Sequence, residues 1–208
     1  MSSAPTKRRR ADGEQTRTAI LAAATKLATV QGLDGLSIGN LADHIGMSKS
    51  GLYAHFGSKE ELQLATIDTA EEIFRVAVIQ PAREPDGAFE RLQSLCDHFL
   101  RYLEEPVFPG GCFFASAAAE LDTHPGPVKE RLAQSLDGWR SLIQRRVREA
   151  QEAGELDPDE DPALLAFELD AFMKMGNSIA LLHGREEGFS SARRAIHARL
   201  ERARVTKQ

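Results

Sequence analysis

Residues 37–61 read SIGNLADHIGMSKSGLYAHFGSKEE, and this stretch decides the fold. Ser37 is an N-cap for a short helix in which Ile38, Leu41, Ala42 and Ile45 recur at helical spacing. Gly46 ends it, because glycine accepts the left-handed conformation a helix C-terminus favours. Ser48 caps a second short helix, Lys49 to Phe56, whose inward stripe is only Leu52 and Phe56. Gly57 closes that helix, and Ser58-Lys59-Glu60-Glu61 has the S-x-x-E form of a capping box. The box opens a longer helix predicted to run to about Gln80, before Pro81. Two short helices joined by a tight turn make a helix-turn-helix, whose DNA-reading version lays the second helix in the major groove.

That second helix has an outer face suited to a groove. At about 100° per residue, Lys49, Ser50, Gly51, Tyr53 and Ala54 lie opposite Leu52 and Phe56. Small groups let the backbone approach DNA. Ser50 suits a base edge or phosphate, Ala54 suits a thymine methyl, and Tyr53 and His55 suit phosphates from the helix flanks. Taken singly, Tyr53 also reads as a half-buried core aromatic and His55 as a surface histidine. Lys59 opposes the macrodipole in the first turn of its helix, a placement that makes more sense with a phosphate nearby. Upstream, a helix predicted over about Glu14 to Val30 carries Ile20, Ala24, Leu27 and Ala28 on one face, with Arg17 turned away from them toward a phosphate or solvent. Residues 1–13 read as a flexible basic arm, and its run Lys7-Arg8-Arg9-Arg10 fits a solvated tail, a DNA-touching arm or an import signal.

Charge is divided along the chain. The net charge is -5, yet residues 1–60 carry 8 Lys/Arg against 5 Asp/Glu, or +3, which leaves -8 for the remainder. A basic head on an acidic body offers one end to DNA. A hydrophobic content of 42% fits a globular protein, no apolar run reaches a membrane span, and the basic start lacks the apolar region of a secretory signal. Cys96 and Cys112 make no disulfide framework, so a cytoplasmic setting is expected. Cys96 sits in an apolar stripe, where thiols are usually inert. Six scattered histidines lack ligand spacing, so neither a metal site nor a cofactor is expected.

The stretch from about Glu14 to Leu64 resembles the DNA-binding domain of the TetR (tetracycline-repressor-like) family. The signature is SIGNLADHIGMSKSGLYAHFGSKEEL, above all Gly-Leu-Tyr-x-His-Phe followed by Gly-Ser-Lys-Glu-Glu-Leu. The likeness covers about a quarter of the chain; the remainder resembles the family only in helical layout and length. What the resemblance implies is an all-α homodimer with a DNA-reading head and a ligand-sensing, dimerising body. Such a protein represses transcription from a palindromic operator on double-stranded DNA and leaves it when a small molecule binds. Carried over by position, Ser37, Ser48, Lys49, Ser50, Gly51, Tyr53, His55 and Lys59 are the DNA-facing sites. The division expected is a DNA-binding domain over 14–60 and a ligand-binding and dimerisation domain over 61–208, about nine helices in all.

In the body, Phe89, Leu92, Cys96, Phe99 and Leu103 repeat at helical spacing to about Glu105. A short helix, Cys112 to Leu121, follows a Pro/Gly break, then a long one, Val128 to Ala153, with Leu132, Leu136, Trp139 and Ile143 in its stripe. Asp161-Pro162 caps a helix to about residue 183 whose apolar arc is roughly 200° wide, against about 100° for a surface helix. A helix so apolar is covered on two sides, and with a last helix, Ser190 to Ala203, it is the expected dimer interface. Phe74, Phe99, Phe113, Phe114, Trp139 and Phe172 are the candidate lining of a largely apolar effector pocket, although aromatics at this spacing also serve as plain core. Glu168, inside the wide arc, reads either as a polar ligand contact or as half of a salt bridge. No nucleophile elbow, P-loop or His-Glu-x-x-His motif argues for an enzyme. An activator of the same fold, or a helical interaction module, is the alternative to a repressor.

Overall fold

The computed structural model describes residues 4–105, 107–121 and 125–205, with side chains from Gly13 onward. Among these it is all-α: α1 (Ala4–Gln31), α2 (Ile38–Ile45), α3 (Lys49–Phe56), α4 (Lys59–Phe74), α5 (Ala88–Glu104), α6 (Phe113–Leu121), α7 (Pro127–Glu152), α8 (Pro162–His183) and α9 (Arg185–Ala203). A π-helical turn, Arg75–Ile79, and a 3-10 turn, Pro81–Arg83, carry the line of α4 toward α5. The long helix expected as far as Gln80 is therefore present, with its last turn widened.

Local chemistry places the head's helices. Ser37 Oγ accepts from Asn40 N at 3.2 Å while Asn40 Oδ1 accepts from Ser37 N at 2.8 Å, a reciprocal capping box. Gly46 at φ 70 and Gly57 at φ 59 end α2 and α3 in the left-handed region, where a Cβ would be strained. At α4, Ser58 Oγ accepts from Glu61 N at 3.0 Å as expected, while the Glu61 carboxylate lies over Gly57. Leu33, Leu36, Leu41, Leu52, Phe56 and Leu62 close the head's core, all almost inaccessible.

Two boundaries differ from expectation. Helix α1 begins at Ala4 rather than about Glu14, so the backbone of residues 4–13 continues a helix where a flexible arm was expected. This extension is polar all round and gives no apolar periodicity to read, although its Ala, Lys and Arg residues favour helix. Residues 1–3 and the side chains of residues 4–12, including the Lys7–Arg10 run, lie outside the described portion. Helix α9 begins at Arg185, five residues early, and Gly188 belongs inside it. A Cβ on Gly188 would stand 2.5 Å from the Gly176 carbonyl and the Ala180 nitrogen, so this glycine lets α8 and α9 cross at backbone contact.

The body's core is formed by the buried faces of α5, α7, α8 and α9. Helices α4 and α6 touch both halves: each packs on α1 and on α7. Among the described residues no helix is long and apolar enough to cross a membrane.

Candidate DNA-contacting surface and effector cavity

Helix α3 buries only Leu52 and Phe56, which leaves the rest of its side chains available. Lys49, Ser50, Tyr53 and Ala54 are exposed and Gly51 and His55 half-buried, with Tyr53 at 56% too open for a core aromatic. Ser48 Oγ accepts from Gly51 N at 3.1 Å, which fixes the helix start, and lies 3.4 Å from Ser50 Oγ. Lys49 Nζ stands 3.8 Å from Asp43, with both side chains more than three-fifths exposed, a pair that solvent screens almost fully. Lys59 Nζ bonds Asp34 at 2.9 Å, also at the surface.

Besides Ser48 at the cap of α3, two more of the expected DNA-facing residues have structural work in this state. Ser37 is spent on the capping box of α2. Arg17 Nη1 donates to the His55 carbonyl at 2.6 Å, and its guanidinium lies 4.3 Å above the Phe56 ring. Arg17 thus ties α1 to the C-terminus of α3, where a cation offsets the unsatisfied carbonyls, instead of standing free for a phosphate.

Head and body meet at the turn after α1. Glu120 on α6 accepts from Leu33 N at 2.6 Å and Asp34 N at 2.9 Å. Gln63 on α4 donates to the Leu33 carbonyl at 2.6 Å, and Gly110 N donates to Thr29 Oγ1 at 3.2 Å. Sequence periodicity gave no sign of this joint, since each partner is more than 25 residues from the other.

Behind it lies a cavity of about 120 Å³ lined by Glu71, Phe74, Ile79, Phe99, Cys112, Phe114, Ser135, Leu136, Gly138, Trp139, Leu142, Asp170 and Lys174. Phe74 meets Phe99, Phe114 and Trp139 edge-on at centroid distances of 5.7, 5.9 and 5.0 Å, and Phe99 stacks on Trp139 at 5.5 Å. Of the expected lining, Phe74, Phe99, Phe114 and Trp139 are there. Phe113 is buried against Phe108 and Phe114, and Phe172 packs partly buried on the core, both away from the cavity wall. Glu168 is not at the cavity either: Arg199 Nε holds it at 2.6 Å while the same guanidinium binds Glu160.

The polar groups of the wall are the part sequence reasoning missed. Buried Asp170 accepts from Trp139 Nε1 at 3.1 Å and from Lys174 Nζ at 2.6 Å. Glu71 is paired with Arg131, which also donates to Ser135 Oγ at 2.7 Å. The signal for Asp170 and Lys174 was an acid four residues before a lysine inside an apolar helix, the spacing of a helical ion pair. Burial pushes the Cys112 and Cys96 thiols up, so both stay protonated at neutral pH.

A short polar helix presented by a three-helix head, joined through shared helices to an all-helical body with an internal cavity, defines a helix-turn-helix DNA-binding regulator. The family model for bacterial regulatory proteins, tetR family, matches residues 20–66, and that for the tetracyclin repressor-like C-terminal domain matches residues 88–196, just over half the chain. The chain belongs to the TetR family of DNA-binding transcriptional regulators, which are not enzymes. The transcriptional regulator AcuR of Cereibacter sphaeroides is 26% identical over 159 residues, 74% of this chain and 71% of its own. A TetR transcriptional regulator from Chloroflexus aurantiacus superposes with a TM-score of 0.86 at 28% identity, covering 94% of this chain and 99% of that one. AibR, solved in complex with isovaleryl coenzyme A and operator DNA, shares the fold at a TM-score of 0.68 and 20% identity, over 89% of this chain and 97% of its own.

Proposed function

We propose that this protein is a ligand-responsive repressor, a cytoplasmic homodimer that leaves a palindromic operator when a small, largely apolar molecule enters the body's cavity. The observation that carries the reading is that α4 belongs to both sites. Its first turn, Ser58 to Glu61, abuts the C-terminus of α3, and Phe74 near its far end forms the cavity wall together with Ile79 of the π-helical turn. A π-turn is a less regular stretch of helix and a natural place for a shaft to bend. Helix α6 supplies a second link, with Phe114 on the cavity and Glu120 on the turn before α2. On this reading residues 14–60 form the head and 61–208 the body, and the boundary at residue 60 falls within the shaft.

Exposed Leu164, Phe167, Met175 and Leu182 form one strip along α8, which supports pairing with the same helix of a second copy. Two heads held by such a pair would enter successive major grooves about 34–36 Å apart. Ligand entry would tilt α4 and change that spacing. A tenfold loss of DNA affinity needs only about 1.4 kcal/mol of preference for the DNA-free state.

Selecting bound fragments from a genomic pool with the purified protein tests the reading. A palindrome with half-sites about one helical turn apart is expected; recovery of no common sequence would count against sequence-specific repression.

A further inference from the structure

The cavity's charges point to the kind of molecule it accepts. Asp170 is buried, with one carboxylate oxygen on Trp139 and the other on Lys174. Glu71 is paired with Arg131, which it shares with the exposed Asp68. Each charged group facing the cavity therefore has a counter-charge within the protein, and the remaining wall is aromatic and aliphatic apart from Ser135 and Cys112. A ligand with a net charge of either sign would bring an unmatched charge into that wall, or would break the Asp170–Lys174 pair and strand one member. The cost is largest at Asp170, which is buried, and smaller toward Glu71 and Lys174, whose side chains are 45% and 38% exposed.

Size narrows the class further. An apolar cavity of about 150 Å³ takes a benzene ring, and this one is about 120 Å³. We infer that the effector is an uncharged molecule about the size of a single ring, and that the Asp170–Lys174 pair acts as the filter that turns away acids and amines. The inference rests on the reading that this cavity is the effector site. Phe74, Phe99, Phe114 and Trp139 supply the contact surface. Asp170 ties α8 to Trp139 of α7 while Lys174, one turn along α8, balances its charge, and an apolar pair in their place would not select against charge.

The test uses benzyl alcohol, benzoate and benzylammonium, which share one ring and differ in charge, with a naphthyl-methanol as the two-ring probe. Thermal shift and calorimetry on the full chain should show benzyl alcohol binding at least about tenfold more tightly than either ion, and the naphthyl alcohol binding weakly. Leu136→Trp, which fills the cavity, should abolish binding and so locates it. Asp170→Asn keeps an acceptor for Trp139 but leaves Lys174 unmatched, and should move the preference toward benzoate by about tenfold or more. Lys174→Met leaves Asp170 unmatched and should move it toward benzylammonium by a similar factor. If one variant does not fold, the native panel and the other variant still decide. Equal or tighter binding of an ion by the native chain overturns the inference, as does failure of all four probes to bind or an unchanged preference in the folded variants. Benzyl alcohol binding that left operator affinity unchanged would instead contradict ligand-released repression while leaving the cavity assignment standing.

Discussion

The outer face of α3 and the wall of the cavity are both proposed sites for a partner, yet they hold their polar groups in opposite ways. In the head, Lys49 faces Asp43 across 3.8 Å of nearly open solvent. In the body, Asp170 and Lys174 are 2.6 Å apart with the acid buried. An exposed pair contributes about 0–1 kcal/mol and is readily exchanged for a phosphate, whereas removing the half-exposed Lys174 strands the buried charge of Asp170. On the proposed reading the head's surface exchanges partners with DNA, and the body's cavity disfavours charge. The same division separates residues that hold the fold from those that are free to bind.

The largest expected effect comes from crossing that division inside α3. Phe56 is buried beneath Arg17, and Phe56→Ala should cost about 3–5 kcal/mol, read as a lowered denaturant midpoint with loss of DNA binding. A smaller effect belongs to the joint. Glu120→Ala removes the acceptor for Leu33 N and Asp34 N and should cost about 1–3 kcal/mol. In titrations of operator DNA, that variant should also respond less to ligand than the native protein; an unchanged response would confine the coupling to α4. Ser48→Ala, which strips the cap of α3, should cost about 0.5–2 kcal/mol and weaken DNA binding by fraying the helix start.

The sequence made the head legible almost residue by residue, because its helix ends are set by side chains one to four positions away, such as Ser37, Ser48 and Ser58. Helices α5 and α7 were legible from apolar periodicity, and α8 from its Asp161-Pro162 start and wide apolar arc. The cavity was only half legible. Adjacent Phe113 and Phe114 have the same composition signal, but which one faces the space depends on where α5 and α7 lie. Glu168 sits in an apolar arc, yet Arg199, 31 residues away, is folded onto it. Arg17 likewise reads as a free cation until α3 is laid against α1. These are tertiary pairings with no local signature. The polar opening of α1 was missed for a different reason, since a helix without an apolar face leaves no period to detect.

The central claim is that the exposed face of α3 binds DNA with side chains that the fold does not need. The most direct measurement compares the affinity of native protein and the Lys49→Ala/Tyr53→Phe double variant for the selected DNA at several salt concentrations, with thermal unfolding alongside. The account predicts that affinity falls at least about tenfold and that the log–log salt slope becomes shallower by about one, while stability stays within about 0.5 kcal/mol. Native-like affinity and salt dependence in a stably folded double variant would contradict it.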